Sequence, residues 1–322
     1  MNSINHYREE FLAHLRTSVV VKEPRNLYEP IDYILQLGGK RLRPVLTLIA
    51  TDLFGGDYRK ALPAAAAVEV FHNFSLVHDD IMDNASLRRG KATVHQKWNS
   101  NIAILSGDAM LICAYRLLES YPLDTFAALA KLFSKTALEV CEGQQWDMDF
   151  ETQAQVSIPQ YLQMIRYKTA VLVGAALQMG AIIAGASIKN QRFIYDFGVT
   201  IGLAFQLQDD YLDTFGDEAF GKKIGGDILE NKKTILYLKA LDLADEAQRN
   251  TLIAQYTTSE ENDAKIAIVT QLFRQTGAAE AVRDEITRTT DEALNLLEHI
   301  TISDEKRAYL KQFALELMNR KV

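Results

Sequence analysis

The hydrophobic positions of this chain follow a helical repeat from one end to the other. Apolar residues recur every three or four positions, and no stretch alternates apolar and polar residues long enough to predict a β-strand. Glycine, proline and serine interrupt the repeat at residues 38–39, 55–56, 121–122, 157–159, 225–226 and 277. No Ser- or Pro-rich linker divides the chain. We therefore expect an all-α protein that forms a single domain over residues 1–322.

Some stretches are apolar on every side instead of on one face, which is typical of buried helices. They lie at residues 61–71, 170–186 and 197–208. The stretch at 170–186 comes closest to a membrane span, but it is short for that purpose, contains Gln178 and is rich in Ala and Gly. We expect a buried helix there and no transmembrane segment. Towards the C-terminus the helices become amphipathic, and Ser259 and Ser303 are suitable N-caps.

Two aspartate motifs follow two of these apolar stretches. Residues 76–83 read LVHDDIMD, and residues 209–213 read DDYLD. On a helix, Asp79 and Asp83 fall on one face, a turn apart. A single Asp-rich turn is typical of a solvated helix end, but two copies, each after an apolar helix and before basic residues, indicate a shared ligand. Such carboxylates need a counter-charge, which Mg²⁺ supplies while it also binds substrate phosphate. We therefore expect the two motifs to face each other.

The composition narrows the choice of partners. The chain has 322 residues, of which 48% are hydrophobic and six are prolines, so a large core is expected. Its net charge of −7 argues against nucleic acid or an anionic membrane as the main partner. Cys113 and Cys141 lie in apolar helical patterns without CxxC spacing, which predicts reduced core residues in a cytoplasmic protein. The first residues lack the pattern of a signal peptide.

Further landmarks surround the two motifs. They are GGKRLRP at residues 38–44, RRGK at 88–91, GQQWD at 143–147, KT at 168–169, FQ at 205–206 and GKK at 221–223. With these landmarks in this order, the chain from about residue 33 onward resembles the trans-isoprenyl diphosphate synthases (polyprenyl synthetases) of the short-chain farnesyl or geranylgeranyl type. The resemblance implies the isoprenoid synthase fold, in which about ten or more helices surround a deep central cavity. It also implies a homodimer.

The resemblance further implies the reaction and its metal. Isopentenyl diphosphate attacks an allylic diphosphate (dimethylallyl, geranyl or farnesyl diphosphate), and the allylic diphosphate group leaves. Metal ions, Lys and Arg neutralise the leaving charge, and a dry cavity protects the allylic cation from water. The family implies three Mg²⁺, with Mn²⁺ as an alternative ion, and the expected ligands are Asp79, Asp83 and Asp209. The carboxylates that support them, through water or as part-time ligands, are Asp80, Asp210 and Asp213.

The same resemblance assigns basic residues to the two substrates. The allylic diphosphate is held by Arg88, Lys168 and Lys223. Isopentenyl diphosphate is held by Lys40, Arg43, His72 and Arg89. Lys232 adds a further substrate-binding charge. From the residues alone, these bases fit solvated or salt-bridged surface groups equally well, and His72 fits an ordinary core histidine.

A few more polar residues complete the expected site. Thr169 and Gln206 line the reacting carbons, and Gln144 and Asp147 lie behind the metal-bound water. Gln144 and Asp147 are three positions apart, so a simple hydrogen-bonded pair on one helix is an alternative. The basic residues near the C-terminus that would fold over the second diphosphate are Arg320 and Lys321.

Product length is expected to depend on Phe74 and Ser75. The growing tail must run along the helix away from Asp79, and five residues of helix span about 7.5 Å, so Phe74 is placed to close the floor of the tunnel. An aromatic residue at that place resembles short-chain members, which make farnesyl or geranylgeranyl diphosphate. Farnesyl synthases of this plan often carry an aromatic pair here or a longer first motif, so Phe74–Ser75 and the two residues inside the motif favour geranylgeranyl diphosphate. The alternative is that Phe74 is a core residue whose size decides nothing.

Several other functions remain open on these grounds. A longer-chain polyprenyl diphosphate synthase is one. A terpene cyclase usually carries a different second motif, and both it and a head-to-head synthase lack the loop at residues 38–44. A non-catalytic subunit of a heteromeric synthase tends to lose its Asp motifs, whereas this chain keeps both. The favoured reading is therefore a Mg-dependent, head-to-tail trans-prenyltransferase.

Overall fold

A computed structural model describes residues 1–216, 224–258 and 262–319, and it confirms the expectation of an all-α protein. The helices are α1 (Ile4–Ser18), α2 (Arg25–Gln36), α3 (Leu42–Leu53), α4 (Leu62–Met82), α5 (Val94–Lys97), α6 (Ser100–Leu118), α7 (Leu123–Thr152), α8 (Ile158–Ile165), α9 (Val171–Ile183), α10 (Ile188–Phe215), α11 (Gly226–Leu229), α12 (Ile235–Leu243), α13 (Glu246–Thr257), α14 (Asp263–Gln275), α15 (Ala278–Leu297) and α16 (Asp304–Met318). A short 3₁₀ helix at Tyr58–Ala61 precedes α4, and a π-helical turn at Arg166–Ala170 lies between α8 and α9.

A small β-hairpin follows the first Asp motif. Strands β1 (Leu87–Arg88) and β2 (Lys91–Ala92) pair antiparallel. The turn between them has left-handed backbone at Arg89 (φ +54°) and Gly90 (φ +74°). Two-residue strands are too short to produce an alternating pattern, so the periodicity of the sequence does not predict this hairpin.

The predicted breaks coincide with observed helix ends. Ser157 caps α8 in a capping box with Gln160, and Ser303 caps α16. Gly277 precedes α15 with a left-handed φ of +81°, a conformation that glycine adopts without strain. The predicted cap at Ser259 lies outside the described residues. Local breaker residues therefore determine where these helices begin.

The chain divides into two compact units. The first comprises Met1–Thr136 and Leu172–Tyr195, and the second comprises Ala137–Val171 and the described residues from Asp196 onward. Each unit carries one of the two Asp motifs. The expectation of a single domain over residues 1–322 stays a prediction.

Helix α4 lies in the core of the first unit. Residues 64–71 of this helix are all buried, including Glu69, as the apolar stretch predicts. The ring of Phe71 packs edge-on against Phe133, with 5.2 Å between the ring centroids. The apolar part of α4 thus anchors the helix, and its polar C-terminal turns carry the first Asp motif.

Helix α9 is also buried, which confirms the prediction for residues 170–186. Ala175 and Met179 have no exposed surface. A Cβ atom at Gly180 would collide with the carbonyl oxygen of Thr47, so only glycine allows α9 to approach α3 this closely.

Helix α6 shows the opposite behaviour, because it is apolar but poorly covered. Leu105 and Ile112 are 60% and 59% exposed. Among the described residues, α6 is the helix that is long and apolar enough to cross a membrane, and 33% of its apolar stretch is buried. One helix of this kind is weak evidence for a membrane span.

The prediction that both cysteines are core residues is wrong. Both thiols are free, but Cys113 of α6 is only partly buried and Cys141 of α7 is exposed. Leu138, one turn from Cys141, is 61% exposed as well. Because these helices carry apolar residues on their exposed faces, an apolar pattern around a cysteine does not identify its burial.

The core of the second unit gathers side chains from the end of α7 and from helices α8, α10, α12, α14 and α15. Buried members of this cluster are Phe150, Tyr161, Leu207, Ile235 and Phe273. The cluster supports the second Asp motif, which lies near the C-terminal end of α10.

Candidate active site

The first Asp motif lies at the C-terminal end of α4, and Arg88 pairs with it. Asp79 is in the last turn, Asp83 is the C-cap, and the side chain of Asp80 is fully buried. The Nε and Nη2 atoms of Arg88 donate to Asp80 Oδ1 at 2.9 and 2.5 Å, and Nη2 lies 3.4 Å from Asp79 Oδ2. The hairpin after α4 thus places the side chain of Arg88 against the carboxylates of the motif.

Burial and this ion pair shift the pKa values of Asp80 and Arg88 in opposite directions. Burial raises the pKa of Asp80, and the hydrogen bond and charge of Arg88 oppose that shift. Burial alone would lower the pKa of Arg88, but Asp80, Asp79 and Asp83 raise it, so the guanidinium stays charged. Asp80 Oδ2 is buried and accepts no hydrogen bond from the described residues.

The glycine loop predicted to contact substrate lies against Arg89. Gly38 (φ +82°) and Gly39 (φ +119°) both have backbone conformations that favour glycine. Arg89 Nη1 donates to the carbonyl oxygen of Gly38, and a Cβ atom at Gly39 would lie 2.9 Å from Arg89 Cζ. The missing side chain at Gly39 therefore leaves room for this guanidinium.

Arg43 and His72, both predicted to hold isopentenyl diphosphate, are neighbours. Arg43 Nη1 lies 3.3 Å from His72 Nε2. Burial, followed by the charges of Arg43 and Arg89, holds the pKa of His72 well below its usual value. His72 is therefore neutral at pH 7. Lys40 of the same predicted group is exposed in the loop before α3.

A buried ion pair that the sequence interpretation missed supports this loop. Arg41 is 4% exposed and Glu69 is 2% exposed. Arg41 donates through Nη1 to Glu69 Oε1 and through Nη2 to the carbonyl oxygen of Leu35. Asn73 Nδ2 donates to the carbonyl oxygen and to Oε1 of Glu69 at 2.8 and 3.1 Å. A lone acidic residue in the apolar stretch 61–71 was the signal available for finding this pair.

The predicted chain-length residues lie one turn before the first motif. Phe74 is 8% exposed, and its ring centroid lies 5.5 Å from that of Phe71 and 4.8 Å from that of His78. Ser75 is partly buried and donates to the carbonyl oxygen of His72 at 2.8 Å. Phe74 is thus packed among aromatic rings on the side of α4 that leads away from Asp79.

The second unit contains a polar cavity of about 210 Å³. Its lining combines carboxylates with basic and amide side chains. The predicted residues found in the lining are Asp147, Lys168, Thr169, Gln206, Asp209, Asp210, Asp213 and Lys232. Within this unit, residues far apart in the sequence therefore meet at one cavity, as the predicted site requires.

Lys168 and Asp147 form an ion pair in this cavity. Lys168 Nζ lies 2.5 Å from Asp147 Oδ2. Lys168 belongs to the π-helical turn, which crosses α7 at Gly143, one turn before Asp147. A Cβ atom at Gly143 would collide with the backbone nitrogen of Lys168, so the two main chains touch there. Gln144 is the next residue of α7.

A chain of hydrogen bonds orients Gln206. Its Nε2 donates to Asp210 Oδ1 at 3.0 Å, and its Oε1 accepts from Thr169 Oγ1 at 3.3 Å. The hydroxyl of Tyr161 donates to Asp210 Oδ2. Burial and then the charge of Asp227 raise the pKa of Asp210 to about 8, although the hydrogen bonds from Tyr161 and Gln206 lower it. Tyr161 carries no motif signal, so the sequence interpretation missed it.

The remaining lining residues fix the segment after α10. Asp213 Oδ2 accepts from the backbone N–H of Asp227 at 3.0 Å, and its carbonyl oxygen accepts from the N–H of Gly225 at 2.7 Å. Lys232 Nζ pairs with Glu230 at 2.8 Å. Burial alone would lower the pKa of Lys232, but Glu230 and Asp227 raise it. Predicted residues that lie outside the described residues are Lys223, Arg320 and Lys321.

Comparison with known proteins decides the family. The family model for polyprenyl synthetases matches residues 24–273. This chain belongs to the polyprenyl synthetase family. The family resemblance stated from the motifs is thereby confirmed.

Similar proteins define the type of this polyprenyl synthetase. A crystal structure of a geranylgeranyl pyrophosphate synthase is 54% identical over 100% of both chains, with a TM-score of 0.96. The short chain isoprenyl diphosphate synthase of Methanothermobacter thermautotrophicus is 36% identical over 98% of both chains. The geranylgeranyl pyrophosphate synthase of Corynebacterium glutamicum, whose crystal structure is complexed with isoprenyl diphosphate and magnesium, is 29% identical over 98% of both chains, with a TM-score of 0.86.

The polyprenyl synthetase is therefore an enzyme, a prenyltransferase of isoprenoid biosynthesis that makes short-chain prenyl diphosphates. Its substrates are isoprenoid diphosphates, and its family uses divalent metal ions. The prediction that the two Asp motifs of this polyprenyl synthetase face each other stays a prediction, as do the roles of the individual site residues.

Proposed function

We propose that the enzyme condenses isopentenyl diphosphate head-to-tail with an allylic diphosphate and releases geranylgeranyl diphosphate as its main product. The observation that supports this most strongly is the same combination of charges in both units. In the first unit Arg88 lies on the first Asp motif, and in the second unit the Lys168–Asp147 pair shares a cavity with Asp209. Acidic groups beside fixed cations suit a diphosphate that is bound through metal ions and basic side chains.

The donor chemistry of both motifs fits Mg²⁺. Carboxylate oxygens are the ligands that hard cations prefer, and the buried Oδ2 of Asp80 has no hydrogen bond from the described residues. Asp79, Asp83 and Asp209 would hold the ions, for which we propose a number of three and Mn²⁺ as an alternative. When bound, the ions would neutralise the charge that develops on the leaving diphosphate. The magnesium in the similar Corynebacterium glutamicum enzyme supports this choice of metal.

The allylic substrate binds through Arg88, Lys168 and Lys232, together with Lys223. Asp147 holds the ammonium of Lys168 in place before the substrate arrives. The amide nitrogen of Gln206 donates a hydrogen bond to Asp210, which leaves the amide oxygen directed toward Thr169. An oxygen dipole with this orientation stabilises positive charge on the allylic carbon.

Isopentenyl diphosphate binds through Lys40, Arg43, His72 and Arg89. Since His72 is neutral, it contributes a hydrogen bond and the arginines contribute the charge. The terminal carbon of isopentenyl diphosphate forms the new bond to the allylic carbon as the carbon–oxygen bond to diphosphate breaks. The proton then lost from the new chain passes to the released diphosphate.

The product length follows from the floor at Phe74. This side chain is buried one turn before the motif, at a depth of about 7.5 Å along α4 from Asp79. A floor at this depth suits a short product, and the similar enzymes named geranylgeranyl synthases support the twenty-carbon length.

The experiment is product analysis with the purified protein. The protein is incubated with labelled isopentenyl diphosphate, Mg²⁺ and each of the primers dimethylallyl, geranyl and farnesyl diphosphate in turn, and a parallel set contains a chelator. We expect geranylgeranyl diphosphate from all three primers and no product with the chelator. A product that stops at farnesyl diphosphate, or that grows beyond twenty carbons, refutes the proposed length, and no condensation with any primer refutes the proposed function.

A further inference from the structure

Lys233 lines the cavity, and its ammonium binds the C-terminal end of helix α7. Its ammonium donates to the carbonyl oxygens of Phe150 at 2.7 Å, Glu151 at 3.3 Å and Gln153 at 2.5 Å. The last carbonyl groups of a helix have no partner within the helix, and the helix dipole favours a cation beside them. An ammonium has three N–H donors, so these contacts use all the donors of Lys233 and leave none for a substrate.

The same segment is anchored on its other side by Asn231. The backbone of Asn231 is left-handed (φ +57°), and its Oδ1 accepts from Lys265 Nζ at 2.7 Å. Lys265 is 2% exposed, and Asn231 Nδ2 also donates to the carbonyl oxygen of Thr258 at 3.2 Å. Lys232 therefore lies between two residues whose side chains are fixed to different parts of the second unit.

Residues 231–233 all line the cavity, but the contacts of the Lys232 side chain differ from those of both neighbours. Its ammonium pairs with Glu230, and its side chain is 43% exposed. Asp227 and Asp147 both act on its charge, which places it among the carboxylates of the cavity. Lys232 thus keeps a part-exposed side chain among the carboxylates of the cavity, whereas the ammonium of Lys233 donates to main-chain carbonyls at the end of α7.

We propose that Lys233 is a positioning residue that holds Lys232 in place to bind the allylic diphosphate, an inference that rests on the proposed function of this cavity. Lys233 clamps residues 231–234 to the end of the helix that carries Asp147. The clamp sets the distance of the Lys232 ammonium from Asp147 and Asp227. Without the clamp, the segment is free to move away from α7 and Lys232 loses its fixed position.

The test is a double-mutant cycle between Lys233 and Lys232. Binding of inorganic diphosphate in the presence of Mg²⁺ is measured by calorimetry for the parent, Lys233→Met, Lys232→Met and the double variant. We expect Lys233→Met to raise the Kd about tenfold in the parent and to change it less than about twofold when Lys232 is already Met. Lys233→Arg, which can still donate to the same carbonyls, should stay within about threefold of the parent.

Controls separate this role from a general loss of stability. Lys311→Met removes an exposed lysine of α16 and should leave the Kd unchanged. If Lys233→Met does not fold, Lys233→Gln replaces it in the cycle. Equal effects of the Lys233 substitution in both backgrounds, or no effect on binding in either, overturn the proposal.

Because the readout is diphosphate binding, the proposal and the proposed function fail in different ways. A parent enzyme that binds diphosphate but forms no prenyl product refutes the function and leaves the cycle interpretable. A parent enzyme that condenses its substrates but shows no coupling between Lys232 and Lys233 refutes the positioning role alone.

Discussion

Replacing Glu69 by Gln should strongly destabilise the first unit. Glu69 is 2% exposed and is the ion-pair partner of Arg41, which is 4% exposed. Burial and then the charge of Arg41 lower the pKa of Arg89, and the charge of Glu69 opposes that shift, so Glu69 also offsets the repulsion between neighbouring guanidiniums. The substitution Glu69→Gln keeps the shape of the side chain but leaves the buried charge of Arg41 without its anion.

The expected cost is about 3–5 kcal/mol, the range for removing one partner of a buried ion pair. Asn73 continues to bond the carbonyl oxygen of residue 69, so the backbone of α4 keeps its local support. Since proteins have a total stability of about 5–15 kcal/mol, this loss is a large share of it. Urea unfolding of the wild type and the variant, compared at equal m-values, measures the difference.

A surface ion pair provides the matched control. Glu10 lies 3.6 Å from Arg59 with the two side chains 37% and 61% exposed, so Glu10→Gln should cost no more than about 1 kcal/mol. The double variant Arg41→Met, Glu69→Leu removes both buried charges and should be closer to the wild type than Glu69→Gln. If Glu69→Gln unfolds at the same urea concentration as Glu10→Gln, the reasoning about the buried pair is wrong.

Further predictions concern turnover, product and pH. Asp79→Ala and Asp209→Ala should each abolish product formation from labelled substrates while the urea midpoint stays close to that of the wild type, and near wild-type rates would contradict the metal assignment. Phe74→Ala should lengthen the product, and an unchanged chain length on product analysis would exclude Phe74 as the floor. Because the folded state holds the pKa of His72 well below 6.5, the unfolded chain binds the extra proton, so stability should fall as the pH drops below about 6.5, by at most about 1.4 kcal/mol per pH unit. In His72→Asn this part of the pH dependence should be missing when the stability is measured by urea unfolding at a series of pH values. An equal pH dependence for both proteins would show that the folded state does not lower the pKa of His72.

The sequence interpretation succeeded where the signal is local. The burial of α4 could be predicted because residues 61–71, apart from Glu69, are apolar on every side of one helix. The helix break at residues 157–159 and the cap at Ser303 could be predicted because both depend on residues within one turn. The positions of both Asp motifs at the ends of apolar helices follow from the same short-range pattern.

Partners that lie far apart in the sequence could not be predicted in this way. Tyr161 and Asp210 are 49 positions apart, and Arg41 and Glu69 are 28 positions apart. Such contacts depend on how helices pack, which the helical repeat does not specify. The error at Cys141 has a related cause, because an apolar face reveals burial only when another element covers it.

The contact at Gly143 has a consequence for the energetics of turnover. At this point peptide groups touch directly, and a peptide backbone has far less freedom to adjust than a layer of interlocking side chains. The opposed charges of Asp147 and Lys168 lie within a turn of that rigid junction, so their spacing is established once, when the chain folds. These charges are therefore already oriented before pyrophosphate arrives. The enzyme does not have to reorient them in each catalytic cycle, as water would have to reorient around the same anion.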